Sequence, residues 1–105
     1  MEVIITDSAY SRLVSEFEQE AIELRVLAID TYECSTMLEF QLALDERRIE
    51  DTVITCKKVN VLLDQKAIEE IGHYLKVDYY ANQGYRLINS AQTLAYGLRI
   101  KKNNV

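Results

Sequence analysis

Two cysteines, one histidine and a large set of carboxylates are the residues of this 105-residue chain whose types can carry chemistry. Cys34 stands out. It lies in Thr31-Tyr32-Glu33-Cys34-Ser35-Thr36-Met37, a polar stretch between two apolar runs, where a loop can present a thiol to solvent. A thiolate in that setting is a soft ligand suited to iron, zinc or copper(I). The alternative is a free, partly buried thiol with no role. Cys56 shares a strand face with Ile54, and free cysteine packs like a small hydrophobe, so a core position is expected for it. A disulfide between the two requires the fold to bring them together, and a reducing compartment opposes it. His73 has no Cys or His three or four residues away, so it lacks metal-site spacing and is assigned to the surface or a strand edge. A Ser-His or Cys-His catalytic pair would have to use that same residue. Gly72, Gly84 and Gly97 stand too far apart to form a phosphate-cradling loop. The carboxylates, Glu16, Glu18, Glu20, Glu23, Asp45, Glu46, Glu50, Asp51, Glu69 and Glu70 among them, fall where helices and turns face water, whereas acid–base work needs a shielded cleft. No enzymatic activity is expected.

The elements that must position these residues can be read from hydrophobic spacing. Val3-Ile4-Ile5 reads as a short strand, and Thr6 or Asp7 can cap a following helix. Tyr10, Leu13, Val14, Phe17 and Ala21 recur at three- and four-residue spacing, which predicts an amphipathic helix ending near Glu20. Ile22 to Ile29 alternates and then becomes apolar on both faces, as an interior strand does. Asp30 to Thr36 breaks that pattern, and Met37 to Leu44 resumes it. Asp45 to Asp51, with six charged residues and Ile49, reads as an exposed turn. Thr52 to Cys56 and Val59 to Leu63 form a hairpin across Lys57-Lys58. Asp64 caps a second helix that buries Ala67, Ile68 and Ile71 and stops at Gly72. Leu75 to Ala81 and Tyr85 to Ile88 are strands joined by Asn82-Gln83-Gly84. Asn89 to Thr93 is irregular, Leu94 to Ile100 is a last apolar run, and Lys101 to Val105 is a frayed tail. The expected architecture is a single α+β domain over residues 1–105, mostly antiparallel sheet with two helices.

Bulk properties narrow the partners. A net charge of −5 repels phosphate backbones, so nucleic acid is not an expected partner. The basic pairs Lys57-Lys58 and Lys101-Lys102 read as solvated turn or tail charges. No apolar run reaches the ~20 residues of a membrane span. The start, Met1-Glu2-Val3-Ile4-Ile5, lacks the basic region of a secretory signal, and two cysteines make no disulfide framework, so a cytoplasmic location is expected. Tyr74, Tyr79, Tyr80, Tyr85 and Tyr96 crowd the C-terminal third. Tyrosine suits strands and also interfaces, which leaves core-and-rim packing and a protein–protein contact both open.

Taken in order, several segments resemble the HesB/IscA-like family of iron–sulfur cluster biosynthesis proteins over nearly the whole chain. Ile5-Thr6-Asp7-Ser8-Ala9 looks like the family's opening strand and helix start, and Leu24-Arg25-Val26 like the strand before its first cysteine. Cys34-Ser35-Thr36-Met37 is similar to the family's Cys-Ser-Gly-Met, with Thr36 for Gly. Val59 to Asp64 and the following helix, Val77-Asp78-Tyr79, Gly84-Tyr85-Arg86-Leu87 and Asn89-Ser90 follow in family order, Ser90 standing for Pro. The resemblance implies a HesB-like fold and metal ligation by that first cysteine and a C-terminal Cys-Gly-Cys. Counting from Asn89 puts the latter pair at Tyr96 and Leu98, with Gly97 kept between them, so both thiols are absent. Glu33 stands where the family usually has Gly.

A cluster takes four thiolates, and one Cys34 per chain gives two in a dimer. Glu33 or a tyrosine could add weak oxygen ligation suited to labile iron. The implied function is that of a non-catalytic accessory, carrier- or scaffold-like, holding iron or a labile cluster through Cys34 in a homodimer or with other iron–sulfur assembly or acceptor proteins. The alternative is a degenerate HesB-like interaction module without metal.

Overall fold

The structure, a computed structural model, describes residues 1–31 and 37–102. The chain runs β1 (Glu2–Ile5), α1 (Asp7–Glu16), β2 (Ile22–Thr31), β3 (Met37–Leu44), β4 (Thr52–Cys56), β5 (Val59–Leu63), α2 (Gln65–Ile71), β6 (Tyr74–Tyr80), β7 (Gly84–Ile88), β8 (Thr93–Leu98) and β9 (Ile100–Lys102). This is the expected α+β architecture. The strands form one sheet in the order β1-β6-β7-β8 and a second in the order β4-β5-β2-β3-β9. Hairpin neighbours pair antiparallel. The pairings that cross the chain, β1 with β6, β2 with β5 and β3 with β9, are parallel.

Both helices begin where short polar side chains satisfy free backbone N–H groups. Thr6 accepts from the Ala9 amide at 3.2 Å and donates to Asp78 Oδ1 at 2.7 Å, which ties the start of α1 to β6. Asp64 Oδ1 accepts from the Ala67 amide at 2.9 Å, and α2 ends at Gly72 with φ 96°. An Asp64→Ala variant is expected to lose about 1 kcal/mol of stability, the usual worth of such a cap. Urea unfolding measures it, and an unchanged midpoint would mean that packing alone holds this seven-residue helix.

Leu13 from α1 and Leu24, Val26, Leu63, Leu75 and Leu87 from the sheets are completely buried in one continuous apolar core. No described helix is long and apolar enough to cross a membrane.

Three expectations need correction. Helix α1 stops at Glu16 rather than near Glu20. Phe17 takes extended backbone angles and turns its ring into the core, and the carboxylates beyond it would oppose the helix macrodipole. The last apolar run is two strands, not one. β8 belongs to the first sheet and β9 to the second, with Arg99 alone between them. Lys101 and Lys102 accordingly lie in β9, paired with Ala43 and Leu44, and not in a frayed tail.

The third correction concerns residues 45–51. The segment is exposed at its tip, where Ile49 is fully open to water, but its ends are not. Arg25 of β2 is 1% exposed. Its Nη1 and Nη2 donate to the two Asp51 carboxylate oxygens at 2.8 and 2.6 Å, its Nε to Asp45 Oδ2 at 2.6 Å, and Nη2 also to the Glu46 carbonyl at 3.0 Å. The Arg48 amide donates to Asp51 at 2.7 Å. What reads as a loose charged turn is clamped at both ends by one buried guanidinium.

Candidate functional site

Cys34, the residue on which any metal chemistry was expected to rest, lies within 32–36, outside the described residues. So do Glu33 and one half of the Cys34–Cys56 disulfide question. The frame on either side is described. β2 and β3 pair without interruption from Leu24↔Leu44 to Thr31↔Met37, so this five-residue segment joins the two ends of a complete antiparallel ladder. Asp30, just before it, is bridged to Lys66 of α2 at 2.7 Å. A long strand pair anchored in the core therefore carries the Cys34 segment at its far end.

Cys56 occupies the core-facing position expected for it. It is half-buried at the end of β4 and packs against the core. Its Sγ–H donates to the Val3 carbonyl of β1 at 3.4 Å, and burial pushes its pKa up. Both effects keep it a thiol at neutral pH, whereas metal binding requires the thiolate. His73 is exposed in the bend before β6, and its carbonyl accepts from the Glu2 amide at 2.8 Å.

Tyr96, Gly97 and Leu98, the positions that counting places opposite the family's Cys-Gly-Cys, end β8. Tyr96 is 77% exposed, while Leu98 is half-buried against the core. Of the other tyrosines, Tyr85 is buried, packs against Tyr79 with ring centroids 4.9 Å apart and planes tilted by 58°, and donates its hydroxyl to Glu16 at 3.3 Å. The tyrosine-rich region thus holds a packed pair, a half-buried Tyr74, and two exposed rings, Tyr80 beneath Arg86 and the more open Tyr96.

Among the described residues no three His, Cys, Asp or Glu side chains converge to hold a metal ion. The buried carboxylates are already spent on Arg25. Asp51 is held below the usual carboxylate range, chiefly by its hydrogen bonds to Arg25. Burial pushes Asp45 upward, but the Glu46 amide and Arg25 outweigh it and the net direction is down. Asp78 behaves alike, burial being outweighed by Thr6, the Tyr79 amide and Ser8. These three groups stay ionised at neutral pH, and none is a poised general acid. The Arg25 cluster escaped the reading of the sequence. Its signal was present, as one arginine inside an apolar strand and two aspartates bracketing a charged segment.

Two mixed sheets in the orders β1-β6-β7-β8 and β4-β5-β2-β3-β9, with two short helices, define the fold class. The chain belongs to the iron–sulphur cluster biosynthesis family, whose model it matches over residues 1–102. Membership supports a role in that process.

No curated protein matches the sequence. Solved structures do share the fold. A protein from Lactobacillus acidophilus ascribed to Fe-S biosynthesis is 18% identical, with a TM-score of 0.72 over 97% of this chain and 90% of that one. IscA with a 2Fe–2S cluster is 23% identical, with a TM-score of 0.66 over 90% of this chain and 96% of that one. Escherichia coli SufA, involved in biosynthesis of iron–sulfur clusters, is 19% identical, with a TM-score of 0.67 over 87% and 83%.

The donor set departs from what a cluster needs. A cluster takes four thiolates, and the chain has two cysteines, of which Cys56 is engaged with the Val3 carbonyl of β1.

Proposed function

We propose that this protein is a non-catalytic accessory of iron–sulfur cluster biogenesis that handles ferrous iron or a labile cluster as cargo through Cys34. The remaining ligands come from a second copy or from an assembly or acceptor protein. The observation that supports this reading is the family match over residues 1–102; the choice of Cys34 rests on the resemblance of Cys34-Ser35-Thr36-Met37 to the family's Cys-Ser-Gly-Met. The hydrogen-bonded, half-buried Cys56 is poorly placed to ligate, which is why this reading rests on Cys34. Monothiol ligation suits transient holding better than storage, because a single soft donor releases its ion readily. The location proposed with it is the cytoplasm, where thiols remain reduced.

The test is anaerobic reconstitution of the full chain with ferrous iron and sulfide, read by visible absorption and bound iron. Sulfur-to-iron charge-transfer bands are expected in the wild type and in Cys56→Ser, and are expected to vanish in Cys34→Ser. A colourless, iron-free wild type would end the reading, and bands that survive in Cys34→Ser would move it to other donors.

A second reading has its own observation. Where counting places the family's C-terminal thiols, this chain exposes the ring of Tyr96 to solvent on the outermost strand of a sheet. An exposed aromatic with a polar tip is a common contact residue. In this reading the scaffold is an interaction module within the same process, and it binds no metal.

A further inference from the structure

Strand β8 ends its sheet, so one of its edges has no partner strand among the described residues. Strand β3 has a partner on its outer edge only at Leu42 to Leu44, where β9 pairs with it, so its edge over 38–41 is likewise unpaired among the described residues. These two free stretches flank one open groove, with Leu38 to Gln41 along one wall and Leu94 to Leu98 along the other. At one end the groove closes where the chain crosses through Arg99 into β9. Its floor is apolar, from Leu38, Phe40, Leu94 and Leu98, and Tyr96 stands exposed at its rim.

Unpaired strand edges beside apolar side chains are what an extended peptide uses to bind, its backbone supplying affinity and alternate side chains entering pockets. Charge indicates which peptide. Two of the chain's 12 lysines and arginines, Arg99 and Lys101, fall at the closed end, on a protein of net charge −5, while Lys102 lines a different cleft. Arg99 and Lys101 line the groove itself. The groove's own carboxylate, Glu39, accepts from Gln41 Nε2 at 2.6 Å. Because fields are screened beyond about 8–10 Å at physiological salt, this local cationic end, and not the net charge, governs what settles there.

We propose that the groove between β3 and β8 docks an extended acidic segment of a partner protein, an apolar side chain seated against Leu38 and Leu94 and carboxylates at Arg99 and Lys101. This deepens the interaction reading and is independent of Cys34. Measuring it in Cys34→Ser protein therefore separates its failure from that of the cargo reading.

The probe is a blocked decapeptide of alternating glutamate and valine, titrated into the isotope-labelled full chain and followed by amide chemical shifts. A lysine–valine peptide of the same length serves as control. Saturable shifts confined to residues 38–41 and 93–101 are expected, with at least a tenfold loss of affinity in Arg99→Glu/Lys101→Glu and a fall in affinity with added salt. Shift dispersion of the variant checks that it folds, and the salt dependence tests the charge argument without any variant. Equal binding of the lysine peptide, shifts scattered over the surface, or salt-insensitive binding would overturn the proposal. So would a homodimer, seen by sedimentation, that covers the groove and excludes the peptide.

Discussion

Replacing Asp51 by alanine is expected to remove about 3–5 kcal/mol of folding stability at neutral pH, the cost of leaving a buried charge without its partner. Arg25 is 1% exposed, and the side chain of Asp51 is wholly buried against it. Two of the guanidinium's hydrogen bonds end on Asp51. Removing that carboxylate strands the cation in a site closed to water, and Asp45 faces only its Nε. The loss is a large part of the ~5–15 kcal/mol that holds an ordinary domain together.

The converse also follows. Replacing both charges with apolar side chains of similar size, as in Arg25→Met/Asp51→Leu, should cost less than Asp51→Ala alone, because buried pairs gain little over good packing. Asp45 still keeps Arg48 at 3.3 Å and the Glu46 amide at 2.8 Å in that variant. Urea unfolding of wild type and both variants decides the matter. A single variant within about 1 kcal/mol of wild type would mean that the clamp contributes no more than an exposed salt bridge.

The same cluster sets a pH dependence. Asp45 and Asp51 are both held below their ordinary values in the folded chain. Their contribution is therefore complete above the unfolded aspartate pKa of about 3.9 and is lost as pH falls through the lower folded values. Acid unfolding of Asp51→Asn should begin from a lower plateau and show a shallower acid limb than wild type.

Gly84→Ala is the second change with a large expected effect. Gly84 opens β7 with φ 102°, a conformation that side-chain-bearing residues rarely adopt. A Cβ built there would lie 2.8 Å from the Leu98 carbonyl oxygen and 3.0 Å from the Gly97 carbonyl carbon. Both are backbone atoms, so no rotamer change relieves the contact, and β8 itself must move. Backbone strain of this kind costs about 1–3 kcal/mol before the clash is counted. Hydrogen exchange is expected to lose protection in β7 and β8 first, while β2, β3 and β5 keep theirs. Wild-type protection in β8 would show that the turn absorbs the methyl group. The displaced strand forms one wall of the groove proposed above, so peptide binding should weaken in the same variant.

Local physics made much of the fold legible in advance. Asp64 and Gly72 bracket α2 because capping and a left-handed stop are decided within a few residues. The hairpin at Lys57-Lys58 is visible because two β-rich runs flank a short break. Long-range choices were not visible. Nothing in Leu94 to Ile100 announces that the chain changes sheets at Arg99, since one charge in an apolar run fits a single strand as well as two. Six charges in seven residues suggested solvent, and only pairing with Arg25, 20 residues away from Asp45, buries the ends. The site divided along the same line. The core role of Cys56 follows from strand periodicity, whereas the environment of Cys34 depends on a segment whose sequence has no regular pattern.

The pairing of β1 with β6 and of β9 with β3 also bears on how the chain is made. Glu2 waits for Tyr74, and Leu42 waits for Ile100. Neither sheet can finish until β6 and β9 have been made, and closing such distant contacts is slow because the loop entropy comes due before the contacts form. Until then Val3-Ile4-Ile5 is an apolar strand without its β6 partner, a segment that a chaperone would need to shield.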